Sequence, residues 1–318
     1  MSETRPNNNL AMGVIFILLG SSSYGMLSTF VKLAYRQGFT TAEVTVAQIL
    51  WGAVILTIMD LLFNKNGKKP TAADNKGLLI AGIPIALTSI LYYLTVIYID
   101  ASVAVVLLMQ SVWMGVIVES IQEKKFPSFV KILSVALVLF GTLLATQIIG
   151  QDSFKPMDIR GLVLGMLTAM SFSWTLYSTS AVANHLPAVT RSKVMLYGSC
   201  VIVLIFAILT QLGPYYMNLH LVGEEFIKNQ PFNPMIFLTY GLFLGIFGTV
   251  IPPIMLNKGF PICGVGLGSI LSSMELPVAV FVAYTLLSEE VSGKQWLGVL
   301  IILLAIVLLN YKFFLKKK

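Results

Sequence analysis

The 318-residue sequence predicts an all-α polytopic membrane protein, with ten transmembrane helices forming two inverted five-helix repeats. Three observations predict it. Hydrophobic residues make up 57% and charged residues 11%, with a mean hydropathy of +0.85, whereas a soluble domain carries about 25% charged residues. Ten stretches approach the ~20 apolar residues needed to cross a ~30 Å hydrocarbon layer as a helix. Basic residues are also distributed unevenly between alternate links. The same composition excludes a disordered chain, and the scattered 25 Gly and 13 Pro exclude a collagen-like one. Period-two alternation of apolar and polar residues is absent, which excludes a membrane barrel.

The predicted spans are residues 10–34, 44–63, 77–98, 102–120, 129–149, 161–182, 194–211, 234–256, 265–287 and 295–315. The first is read as a retained helix, because no small-residue cleavage site follows its long apolar run before Lys32 and Arg36. Turn and charge signals at 64–69, 123–127 and 151–156 separate later spans. The links 99–101 and 257–264 are short, and only 213–233 forms a loop of any size. Pro252-Pro253 is expected to break span eight near its inner end.

With the N-terminus placed in the cytoplasm, 15 of the basic residues fall inside and 6 outside. The positive-inside rule then puts both termini in the cytoplasm of a cell (plasma or inner) membrane. Membrane orientation thus accounts for the net charge of +7. No basic stripe interleaved with exposed aromatics points to nucleic acid.

Several chemistries lack their parts. There is no G-x-x-x-x-G-K-[ST] for ATP-driven pumping, no H-E-x-x-H and no G-x-S-x-G. His185 and His220 lie outside the apolar spans, and Cys200 and Cys263 read as small core residues. No catalytic residue, metal site or cofactor is therefore expected. The expected partners are the bilayer and a small-molecule substrate, with protons as a candidate coupling ion and a monomeric or homodimeric assembly.

The halves match weakly. Residues 109–125 lie over 274–290 at an offset of 165, placing Met109 on Met274 and Gln110 on Glu275. Gly13 to Gly25 similarly lies over Gly161 to Ser173. A repeat of five helices is odd, so its second copy enters the membrane upside down, an architecture associated with alternating access around a midplane site. The repeats are expected over 10–149 and 161–315.

IDASVAVVLLMQ at 99–110, GTLLA at 141–145, GSILSSMELPVAV at 268–280 and SEEVSGKQWLGVLIILLAIVLL at 288–309 carry a resemblance to the drug/metabolite transporter superfamily. Specifically, the chain resembles its ten-helix EamA-type members. The resemblance implies transport of small molecules, usually efflux of amino acids or metabolites. Ser111-Val112 stands where family members commonly carry Pro in span four, so the sequence gives no signal for a kink there. Tyr24-Gly25 likewise replaces a common Trp-Gly in span one.

Glu275 is the sharpest site signal, since an acid at mid-span costs at least ~2.5–3.5 kcal/mol on insertion scales. It has two readings: a cavity or coupling group, or a protonated carboxyl that glues helices together. Gly268, Ser272, Glu275 and Ala279 share one helix face, and Pro277 is the expected hinge. Gln110 and Trp113 share a face of span four. Span one offers Ser21, Tyr24 and Ser28; span three offers Thr88, Tyr92 and Thr95; span six offers Ser171, Trp174, Thr175 and Ser178, with Tyr177 alongside. Aromatic rings with polar tips suit a ligand cavity, although each ring singly also suits helix packing. Glu119 and Asp60 read as interfacial charges and Lys32 as a snorkelling one. A sugar-phosphate or nucleotide-sugar exchanger is the alternative transporter, but it would favour basic residues deep in the spans. A membrane-embedded enzyme is the alternative from another class.

Overall fold

The computed structural model describes residues 7–64, 68–99, 101–146, 158–288 and 290–315. Among them there is no strand. The helices are α1 (Asn7–Arg36), α2 (Thr41–Phe63), α3 (Ala72–Tyr98), α4 (Ala101–Leu108), α5 (Ser111–Glu123), α6 (Phe129–Ala145) and α7 (Ile159–Ala181). They continue as α8 (Ala188–Ala207), α9 (Gly213–Met217), α10 (Leu242–Leu244), α11 (Ile251–Cys263), α12 (Val265–Ser272), α13 (Glu275–Leu287) and α14 (Gly293–Leu315). Eight helical stretches are long and apolar enough to cross a membrane, and Phe129–Ala145 and Gly293–Leu309 are shorter apolar helices. Together they make the ten spans: α4 with α5 forms span four, and α12 with α13 forms span nine. An even number of spans puts both termini on one face, called here the terminal face.

Local sequence sets the starts of four helices. Thr40 and Thr71 begin α2 and α3 with capping boxes, exchanging hydrogen bonds with Glu43 and Asp74. Ser128 and Asp158 cap α6 and α7. Asp158 also pairs with Arg160, which holds its carboxyl below the usual carboxylate range.

Two expected boundaries move. Residues 257–264, read as a link, are helical through Cys263, and the link shrinks to Gly264 at φ +80°. Packing overrides the Pro261 signal: Phe260 is fully buried, and Gly259 lies against Gly13 and Ile17 of α1. Pro252-Pro253 consequently lies near the middle of span eight, at the start of α11, preceded by a π-helical turn at Gly245–Val250. Span seven begins at Ala188 rather than 194, because both of its early cations have partners. Lys193 pairs with Asp60 of α2, which also accepts from Thr190 at 2.6 Å. The expected end of span five at 149 lies outside the described residues.

Arg191 is 1% exposed. Its guanidinium donates to the carbonyls of Val182 (2.9 Å), Asn257 (2.8 Å) and Thr179 (2.7 Å), tying the end of α7 and the middle of α11 to the start of α8. The planar guanidinium fork suits three carbonyls that converge from two helices. Arg191→Met should lower stability by about 2–3 kcal/mol by stranding buried acceptors. A melting curve followed by size-exclusion chromatography checks this, with Arg191→Lys expected to restore part of the loss.

Close packing comes from small residues, as membranes favour. A Cβ on Gly82 of α3 would overlap the Met195 carbonyl of α8, and one on Gly198 would overlap the Leu79 carbonyl. α6 and α14 pair with each other through Gly141 and Gly298. Trp51 of α2 donates its indole N–H to the Phe237 carbonyl at 3.0 Å, where a π-helical turn (Phe237–Gly241) begins span eight.

Candidate functional site

The fourth span of each repeat is broken at mid-span. α4 stops at Leu108 and α5 starts at Ser111; α12 stops at Ser272 and α13 starts at Glu275. The halves have matching lengths of 8 and 13 residues, and Lys124 and Ser288 close both second halves in the left-handed conformation. The structural offset between repeats is therefore 164, which corrects the 165 suggested by Met109 and Met274. Ser111, not Gln110, is the counterpart of Glu275.

Span four breaks without a proline. The Gln110 backbone N–H donates to Leu107 at 3.0 Å instead of reaching Val106. Its side-chain Nε2 takes the freed Val106 carbonyl at 3.0 Å, and its Oε1 accepts from Trp113 Nε1 at 2.9 Å. Gln110 and Trp113 thus stitch the break together, with the polar atoms of Gln110 engaged. In span nine the N–H groups of Ser273, Met274 and Leu276 turn to carbonyls three residues back, at 3.2, 3.1 and 3.2 Å. The tight turn lies at Ser273-Met274, and Pro277 sits in the first turn of α13, where a missing N–H is tolerated. The break in the helix is accordingly just before Pro277.

Glu275 opens α13, where the N-terminal end of the helix dipole favours a negative side chain. Gly25 brings α1 directly against it: a Cβ there would overlap the Glu275 carbonyl. Glu275 lies within electrostatic reach of Tyr24 on α1 and Tyr92 on α3, and Tyr92 of Tyr35. Tyr35 also contacts Thr41 through its hydroxyl at 3.3 Å. Span one thus packs against span nine beside this carboxyl, and Tyr92 of span three lies within its electrostatic reach. Tyr35 was not singled out in the sequence, yet it follows Tyr24 by eleven residues, three helical turns on the same face.

Other expected members sit elsewhere. Trp174 is 45% exposed and continues the exposed apolar stripe of Val163, Leu167 and Met170 on α7. A face of that composition belongs against lipid, which corrects its assignment to the cavity. Tyr177 is half-buried one turn from the end of α7, away from mid-span. Ser272 is buried with its hydroxyl donating to Gly268 at 3.0 Å, and Ser269 and Ser273 bond their own helix in the same way. Such back-bonding is the usual state of a hydroxyl inside a helix. Thr88 and Ser171 meet each other at 3.1 Å, joining α3 to α7. The side chain of Ser28 lies outside the described residues.

The two broken helices approach one another unequally. α5 packs along α12 at the terminal face, whereas α4 and α13 make at most marginal contact among the described residues. The two half-helices α4 and α13 thus stay unpaired with one another toward the opposite face, and Tyr92 and Tyr35 lie toward that end of α3 and α1. A separate depression of about 420 Å³ is lined by Gly38, Gln230 and the 231–234 segment, and none of the site residues borders it. Among the described residues no cluster of His, Cys, Asp and Glu could hold a metal.

The comparisons agree with this architecture. No curated relative matches the sequence significantly. A solved crystal structure superimposes with a TM-score of 0.71 over 95% of this chain and 98% of the other, at 14% sequence identity, and shows the same fold. The profile of the EamA-like transporter family matches residues 11–147 and again 159–311. Two copies of the family repeat, five spans in each, account for nearly the whole chain, which belongs to the EamA-like transporter family.

Proposed function

We propose that this chain is a secondary active transporter that exports small organic metabolites, amino acids or related compounds, by alternating access through a midplane cavity at Glu275. The repeats 10–149 and 161–315 are its two moving units, and both termini lie in the cytoplasm of a plasma or inner membrane. The observation that carries the reading is the position of Glu275, a single carboxyl at the break of span nine with Tyr24 and Tyr92 around it.

A carboxylate at this depth needs a counter-charge, because an unpaired ion in a low-dielectric site is costly. A proton and the ammonium group of an amino compound both supply it. They exclude one another, so a proton taken from outside displaces the substrate there, and substrate arriving from inside displaces the proton. Exchange follows from one group serving two ligands in turn. Tyrosine faces and hydroxyls complete the recognition of an ammonium-bearing solute.

Purified protein in liposomes loaded with a labelled amino-acid mixture checks this. Efflux of at least one amino compound should accelerate when the outside is made acidic. Equal rates with and without the gradient for every compound would remove the coupling, and no flux for any would remove the substrate class.

A further inference from the structure

Alternating access needs two faces that close in turn, and the offset of 164 allows them to be compared residue by residue. At the terminal face, Glu119 of α5 is 8% exposed. Its Oε1 accepts from the Gly266 backbone N–H of α12 at 3.2 Å, and its Oε2 pairs with Lys131 of α6. The approach is close: a Cβ on Gly266 would overlap the carboxylate, and one on Gly264 would lie 2.8 Å from Oε1. One turn deeper, a Cβ on Gly115 would overlap the Ser269 hydroxyl. Three helices are thus drawn together by one charge-assisted contact, the stronger kind of hydrogen bond.

The opposite face lacks these parts. Ala283 stands where the terminal face has Glu119, and Gln295 where it has Lys131. An alanine side chain accepts no hydrogen bond. Gln295 is engaged elsewhere, accepting from Ser292 N at 2.8 Å and donating to the Ala145 carbonyl at 3.3 Å. Gly115 and Ser269 become Ala279 and Val105, so the equivalent approach of α13 to α4 has more atoms in the way. The halves are correspondingly apart at that face.

We propose that Glu119 is a one-sided latch, a positioning residue that holds the terminal face closed and biases the resting transporter toward opening on the opposite face. This rests on the alternating-access reading above. The repeats are related by near symmetry, so two mirror conformations of similar energy are built in, and a group present in only one of them sets their ratio.

Single cysteines report the ratio in nanodiscs, in a background with Cys200→Ser and Cys263→Ala. Ser269→Cys sits in the closed interface, and Ala279→Cys takes the position on α13 equivalent to Gly115, where α13 makes at most marginal contact with α4 among the described residues. With a water-soluble maleimide, the parent should label slowly at 269 and fast at 279. Glu119→Ala, which installs the residue found at the opposite face, should speed labelling at 269 by about tenfold, the scale set by one charged hydrogen bond, and slow it at 279. Lys131→Gln should act in the same direction. Unchanged rates at both positions in folded Lys131→Gln overturn the latch, and they decide the matter if Glu119→Ala fails to fold. Efflux measured on the same samples separates the two ideas. Working efflux with unchanged labelling defeats the latch alone, whereas a parent without efflux defeats the proposed substrate and not the latch.

Discussion

Glu275→Gln protein reconstituted in liposomes should fold, yet its pH-driven efflux should fall to the level of empty liposomes. The substitution keeps the size of the side chain and its capacity to accept a hydrogen bond, so the start of α13 and its packing against Gly25 are preserved. What it removes is the proton-binding group and the charge that attracts an ammonium. Tyr24 and Tyr92 stay in place but face a neutral amide. Counterflow of unlabelled against labelled substrate, which needs no proton, distinguishes loss of coupling from loss of binding. A variant that fails to reach a monodisperse state assigns Glu275 to structure. Normal efflux with an unchanged pH response would sink the coupling role and turn attention to Tyr24 and Tyr92 themselves.

Gly82→Val should abolish a folded population at growth temperature. The α3 and α8 backbones are in direct contact there, each glycine facing a carbonyl of the other helix. Ser199 adds a hydrogen bond to the Gly82 carbonyl at 2.7 Å. A valine forces the helices apart along their length, with a cost of about 3 kcal/mol or more for overpacking against backbone that has no rotamer to yield. Gly293→Ala is the matching control, because a Cβ there meets nothing within 4 Å. It should melt at or slightly above the parent, since alanine disfavours the unfolded chain. Equal melting temperatures for Gly82→Val and Gly293→Ala would contradict the α3–α8 packing.

Glu119 and Arg191 show why partner identity is hard to read from a chain. Glu119 reads as an interfacial charge in the sequence, and both residues lie near span ends in the structure. Glu119 nevertheless grips the first turn of α12, and Arg191 three carbonyls from two other helices. Nothing local distinguishes a charge that faces water from one whose partner arrives from another helix, 66 residues away for Arg191 and Asn257 and 147 for Glu119 and Gly266. Trp174 is the converse. Its spacing with Ser171 and Thr175 suggested a polar face, but those hydroxyls are buried between helices while the indole joins the exposed stripe.

By itself the sequence determined that this protein spans a membrane with ten helices in two related halves, and it marked Glu275. Those are local properties: apolar length decides insertion, and an acid within an apolar run stands out because its cost in lipid is independent of its neighbours. The tertiary structure alone decided the break in span four, the offset of 164, which tyrosines lie within electrostatic reach of Glu275, and the unequal packing of the broken helices at the two faces. Each depends on which carbonyl a particular N–H reaches, or on how near two backbones come. At Gln110 a side chain substitutes for a missing helical bond, so the helix breaks without the proline that marks span nine. Residue types along a chain do not encode such distances; packing sets them once the helices meet.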